Sequence, residues 1–293
     1  MGLRLKFNLV LLTVFVAGLS ISGYVSYTLL QKNAQEEVQR NGGLMMETAL
    51  AIRGYTTAQI QPHMSPMNAG EQFFPQTVPA FSATETLKAL RQKYPDYLYK
   101  EATLNPTNLS DKAIGWETDV VNIFRAEPTR AELSDIRTAA NGARFLYVAR
   151  PLQIKNPACL ACHSVPEAEP ASMIKVYGSA NGFGWKHNEI IGAQIVTVPL
   201  ALPVSNANRV FITFMLSLFL IFSVLFIALN VMLSQLIVEP ISRMSRVADQ
   251  ISTGDFSEKE FAVKGSDEIA NLKTSFNRMR RSLAMAMQML DKK

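Results

Sequence analysis

Val210–Leu233 reads VFITFMLSLFLIFSVLFIALNVML, a run without charge that only Asn230 and a few hydroxyls interrupt. At about 1.5 Å per residue, a helix of this length crosses a hydrocarbon core about 30 Å thick. A second uncharged run, Phe7 to Leu30, follows Arg4 and Lys6 near the start. It reads as another membrane helix. The alternative is a cleaved secretory signal, with a basic start, an apolar centre and small residues from Ser20 to Gly23. Arg4 and Lys6 precede the first run, and Arg243 and Arg246 follow the second. By the positive-inside tendency, both chain ends are cytoplasmic and the middle is exported. The expected layout is a cytoplasmic N-terminus at 1–6, transmembrane helix 7–30, periplasmic segment 31–208, transmembrane helix 209–234 and cytoplasmic segment 235–293. That is a two-pass protein of a bacterial inner membrane.

The remaining composition adds little. The formal charge is +5 over 293 residues. No basic stripe with interleaved aromatics points to nucleic acid. The chain has two cysteines, and both lie in Cys159-Leu160-Ala161-Cys162-His163. C-x-x-C-H is the attachment signature of a c-type haem. Two thiols three positions apart each add to one vinyl group of a single porphyrin, and the adjacent histidine binds the iron. The cofactor expected is one covalent haem c. Two other readings use the same residues. Cys159 and Cys162 could hold zinc with help from His63 and His187, or remain plain thiols or a local disulfide. Covalent haem attachment takes place outside the cytoplasmic membrane, which agrees with the charge flanks.

His163 is the expected proximal ligand. For the sixth position, His63 is the first candidate and Met46 a weaker one, with Met45, Met64 and His187 behind them. A strong sixth ligand makes an electron-transfer site, and an open position admits a gas. Arg53 and Arg150 are candidates to pair with haem propionates, because guanidinium meets carboxylate in a bidentate fork. Tyr177 and Trp185 are candidates to pack on the porphyrin. No catalytic set is visible, so the chain is not expected to be an enzyme.

Between the two runs, Ala34 to about Tyr55 reads as a helix, with Leu44, Thr48, Ala51, Ile52 and Tyr55 on one face. Gln61 to Pro79 reads as an extended loop. Ser82-x-x-Glu85 reads as a capping box opening a helix to about Tyr94. Strands are expected at Tyr97–Leu104, Ala143–Arg150, Met173–Tyr177 and Gly192–Val198. Short helices are expected at Glu117–Phe124 and Arg130–Ala139. The fold class is α+β.

Six stretches carry a resemblance. They are Arg53-Gly54-Tyr55-Thr56, Val78-Pro79-Ala80, Asn105-Pro106-Thr107-Asn108, Ala149-Arg150-Pro151, Cys159-Leu160-Ala161-Cys162-His163, and Tyr177-Gly178 with Asn181-Gly182-Phe183-Gly184-Trp185. Together they resemble a bacterial family of exported haem-c domains found attached to signalling modules. The resemblance implies a PAS-like sensor fold with haem c, and supplies no substrate.

After the second run, Glu239-Pro240 opens a helix with Ile241, Met244, Ala248 and Ile251 on one side. A polar connector follows. Then Asp267-Glu268 starts a helix with Ile269, Leu272, Phe276, Met279, Leu283, Ala286 and Leu290 at heptad positions. An amphipathic helix on the membrane surface would share this pattern. Asp267-Glu268-Ile269 and Phe276-Asn277-x-Met279 resemble the second-helix signature of a HAMP domain. That resemblance implies a four-helix coiled coil made by two chains, hence a homodimer. No kinase or cyclase follows, so the output is expected to pass to a separate cytoplasmic signalling protein. The expected function is a membrane-bound haem sensor of a redox or gas-ligand signal. The alternative is a membrane-anchored c-type cytochrome for electron transfer.

Overall fold

The computed structural model describes residues 2–68 and 73–290. They form two compact units, one of residues 28–209 and one of residues 1–27 with 210–293.

Helix α1 runs unbroken from Leu3 to Tyr55. A wide π-type turn, Thr56–Ile60, joins it to α2, Gln61–Asn68. The extended loop expected from Gln61 to Pro79 is therefore largely helical in its described part, and includes a 3-10 turn at Pro75–Thr77. Residues 69–72 of that stretch lie outside the described residues. Helix α3, Pro79–Leu90, starts earlier than the capping box suggested. Pro79 takes the first helical position, where its missing N–H costs nothing. Ser82 is already inside the helix, and its hydroxyl donates to the Gln76 carbonyl at 3.0 Å.

Four strands follow: β1 Leu98–Thr103, β2 Leu133–Thr138, β3 Arg144–Gln153 and β4 Ile190–Pro199. They form one antiparallel sheet in the order β1-β4-β3-β2. Helix α4, Trp116–Ala126, lies between β1 and β2 in sequence. Two short expectations fail here. Arg130–Ala139 holds β2 instead of a helix, because backbone pairing with β3 overrides its mixed-charge pattern. Its exposed polar side chains suit an edge strand. Met173–Tyr177 belongs to helix α6, Ala171–Tyr177, and not to a strand. Met173 N–H bonds back to Pro170, and Gly178 N–H to Ile174 at 2.8 Å, so local bonds close the turns before any sheet edge is reached.

The sheet buries both faces. Tyr99, Leu146, Val148, Val196 and Val198 pack against Val38, Met45, Met46 and Ala49 of α1 and Ala83 and Leu87 of α3. Ala102, Tyr147, Ala149, Ala193 and Ile195 pack against Val120, Val121 and Phe124 of α4. Gly42 lets α1 come close, since a Cβ there would stand 3.0 Å from Val148. The face of α1 picked out by periodicity is mostly the outward one. Leu44 and Tyr55 are about three-fifths exposed, and Thr48 and Ala51 are exposed with them. The core takes the opposite side, because close approach to the sheet needs the small residues there.

In the other unit, Phe15 of α1 stacks on Phe222 of α7, Ala201–Leu233, with ring centres 5.1 Å apart. Both helices are long and apolar enough to cross a membrane. A second π-type turn, Ser234–Val238, leads into α8, Glu239–Ser252. After the connector comes α9, Glu268–Leu290. Asp267 caps α9 by accepting the Ala270 N–H at 2.7 Å. Asn277, almost fully buried, grips the connector through both the N–H and the carbonyl of Phe261, at 3.0 and 2.9 Å. Phe261 packs edge-on to Phe276.

Candidate functional site

The C-x-x-C-H segment follows β3. Asn156 turns the chain by accepting the Ala158 N–H at 2.9 Å. A 3-10 turn, Pro157–Cys159, then runs into helix α5, Leu160–His163. Cys159 is exposed, Cys162 is half-buried, and both are free thiols. Burial pushes the Cys162 thiol up, with Glu169 and Cys159 adding to it.

The glycine-rich stretch 178–185 folds against this helix. Trp185 N–H donates to the His163 carbonyl at 3.2 Å, and Gly184 N–H to the Ser164 carbonyl at 3.0 Å. The rings of His163 and Trp185 stack at 4.0 Å. His163 Nδ1 lies 2.8 Å from the Gly182 carbonyl oxygen. A carbonyl only accepts, so Nδ1 carries the proton and Nε2 keeps its lone pair. Burial lowers the His163 pKa, against the opposing effect of that hydrogen bond, and so favours the neutral ring. No hydrogen bond occupies Nε2 among the described residues. With Nδ1 held by a backbone carbonyl, this tautomer leaves Nε2 able to ligate a metal.

Gly182 is itself held. Its N–H donates to Asn105 Oδ1 at 3.1 Å, and Asn105 Nδ2 donates to the Phe183 carbonyl at 3.1 Å. Its φ is +88°, and a Cβ there would stand 2.8 Å from Thr107 Cα. The Asn105–Asn108 turn and the glycine-rich turn, far apart in sequence, thus form one cradle behind the imidazole. Asn105, Thr107 and Gly182 had no assigned role in the sequence reading, although they stood in two of its quoted motifs. Two further polar atoms in this region are buried without a hydrogen-bond partner among the described residues: Trp185 Nε1 and Glu169 Oε1. Burial holds the Glu169 carboxyl up to about 7.

The other candidate residues fall elsewhere or are occupied. Arg53 Nη1 donates to both carboxylate oxygens of Glu101, at 2.5 and 2.6 Å. Glu101 is 3% exposed and also accepts the Tyr99 hydroxyl at 2.8 Å. Burial alone would lower the Arg53 pKa. The Glu101 carboxylate beside it raises it beyond that loss. Arg150 pairs with Glu47 of α1 at 2.8 Å and Glu132 at 2.9 Å. Glu101 and Arg150 both face Gln194 across the sheet. The two arginines thus clamp α1 to the sheet, with opposite polarity. Met45 and Met46 sit in the apolar core between α1 and the sheet, which explains two methionines without iron. His63 is exposed on α2. His187 Nε2 lies 3.3 Å from the Lys155 carbonyl. Tyr177 stands edge-on to Phe73. Among the described residues no three His, Cys, Asp or Glu side chains gather as a metal set, so the zinc alternative is not assembled.

The family profile for Tll0287-like proteins matches residues 31–199. The chain belongs to the Tll0287-like family. A HAMP domain profile matches residues 232–285, after the Tll0287-like domain. The sensor histidine kinase WalK of Bacillus subtilis (strain 168) is 33% identical over 125 residues, which are 42% of this chain and 20% of the kinase. The chain thus spans about a fifth of that relative's length. The crystal structure of the cyanobacterial heme-protein Tll0287 shares 15% identity, covers 56% of this chain and 95% of its own, and has a TM-score of 0.43. The cradle around His163 lies wholly inside the Tll0287-like segment.

Proposed function

We propose that this protein is a two-pass inner-membrane sensor whose periplasmic domain carries one covalent haem c and whose HAMP helices carry the response to a signalling partner. The observation behind this is His163, held neutral with Nδ1–H on the Gly182 carbonyl and Nε2 free, directly after two free thiols. Bound there, haem would supply a one-electron centre and an iron coordination position.

Cys159 and Cys162 would hold the porphyrin through thioether bonds, and His163 Nε2 would ligate the iron. Asn105 keeps Gly182 in place, Thr107 stands close against it, and Gly182 keeps the imidazole from turning. The Arg53–Glu101 and Arg150–Glu47 pairs tie α1 to the sheet, and α1 continues without a break into the apolar segment. β4 leads almost directly into α7, and α7 through a π-type turn into α8. A change of charge or ligation at the site would therefore have one covalent route to the HAMP helices, through β4, α7 and α8, with α1 acting on it through its packing against α7. It signals only if the two haem states differ in affinity for two arrangements of those helices.

The open seam on α9 supports the homodimer. Leu272, Met279 and Leu283 are each about 45% exposed, and a cavity of about 390 Å³ lies between α8 and α9. A second copy of the helices would cover both.

Co-expression with cytochrome c maturation machinery tests the cofactor. The intact mass should rise by one haem, and His163→Ala should keep the mass while changing the absorption spectrum. A bare polypeptide mass would sink the proposal. The Trp185 ring stacked on His163 favours a second reading, an electron carrier with its entry point at that indole. Spectral change on carbon monoxide addition supports the sensor. Fast reduction by a donor protein, with no change in hydrogen exchange in α8 and α9, supports the carrier.

A further inference from the structure

We propose that the chain holds an anionic phospholipid between the first turns of α1 and the last turns of α7. A cavity of about 290 Å³ lies there, lined by Arg4 on one side and by Phe226, Asn230, Val231, Ser234 and Gln235 on the other. The lining divides by chemistry. Phe226 and Val231 give an apolar wall along the membrane-spanning stretch. Arg4, Ser234 and Gln235 sit beyond it, at the polar end.

No carboxylate pairs with Arg4 among the described residues, and neither the Ser234 hydroxyl nor the Gln235 carboxamide has a side-chain hydrogen bond among them. An unpaired guanidinium beside free hydroxyl and amide donors selects a phosphate oxygen. The apolar wall below matches an acyl chain. Phosphate and acyl chain on one molecule describe an anionic phospholipid such as phosphatidylglycerol. Basic pockets between membrane helices take anionic headgroups for this reason. The wide turn Ser234–Val238 supplies two of the polar residues, and such turns recur at functional positions in helices.

This inference rests on the membrane reading of α1 and α7, and one experiment separates the two. The full chain is inserted into nanodiscs of mixed phosphatidylcholine and phosphatidylglycerol, released into mild detergent, and its retained lipids are read by native mass spectrometry. Failure to insert would count against the membrane reading alone. For the inserted wild type, phosphatidylglycerol should be retained over phosphatidylcholine by about fivefold or more. Arg4→Gln should abolish the preference, and so should Ser234→Leu, which leaves the charge unchanged and fills the cavity. Equal retention of both lipids by wild type overturns the site. So does loss in Arg4→Gln with full retention in Ser234→Leu, since bare charge would then suffice. Retention of added palmitate in place of the phospholipid overturns the phosphate assignment.

Discussion

Breaking the Arg53–Glu101 pair should loosen the C-terminal third of α1 far more than its size suggests. The Glu101 side chain is 4% exposed and that of Arg53 24%. Removing one partner of a buried pair costs about 3–5 kcal/mol, because the other charge is left uncompensated. The two halves should not be equal. Arg53→Met strands a carboxylate with almost no water and only the Tyr99 hydroxyl as donor, so its cost should lie near the top of that range. Glu101→Gln strands a guanidinium that reaches solvent, and the glutamine oxygen still accepts one bond, so about 2–3 kcal/mol is expected. The double variant Arg53→Met/Glu101→Gln removes both charges. It should be less destabilised than the sum of the singles by about 2 kcal/mol or more. Hydrogen exchange of residues 45–56 in the full chain reads this directly as a change in local opening free energy. Additive single effects, or exchange unaltered in Arg53→Met, would refute the reasoning and return Arg53 to the status of a surface group.

Other outcomes follow from the same geometry. Gly182→Ala must accept a positive φ, at about 1–2 kcal/mol, and a collision with Thr107 backbone that no side-chain rotation relieves. It should also release His163, and lower the fraction of chains showing the parent haem spectrum by about tenfold or more. Asp111 is held up to about 6, by burial first and then by Glu101, with Lys100 opposing. A carboxyl whose folded pKa is raised stabilises at low pH, and that stability is lost as pH rises through about 6. Asp111→Asn should therefore be more thermostable than wild type at pH 7.5, and the gap should close toward pH 4. Asn277→Ala removes both bonds to Phe261, and should cost about 2–3 kcal/mol of local stability. The readout is faster exchange of residues 256–265 with α3 unaffected.

The sequence alone determined where the long apolar helices run and that the candidate site's two thiols and imidazole stand side by side. Two long uncharged runs dictate membrane-length helices because every backbone polar group in lipid must bond within its own helix. Cys159, Cys162 and His163 are neighbours in sequence, so their pattern needs no fold to be seen. Glu101 was half legible, since strand alternation puts it on the same side as the inward-facing Tyr99. What only tertiary structure decided is which distant groups meet. That α1 turns Met46 and Ala49 to the sheet and Leu44 outward depends on how closely Gly42 lets it approach. That Arg53 and Arg150 are already paired depends on the register of three strands. Asn105 and Gly182, 77 residues apart, fix the imidazole of His163 together, and no local periodicity carries that information. Edge strand β2 and helix α6 were misread for the same reason. Short segments have weak propensities of their own, and the partner, or its absence, decides between helix and strand.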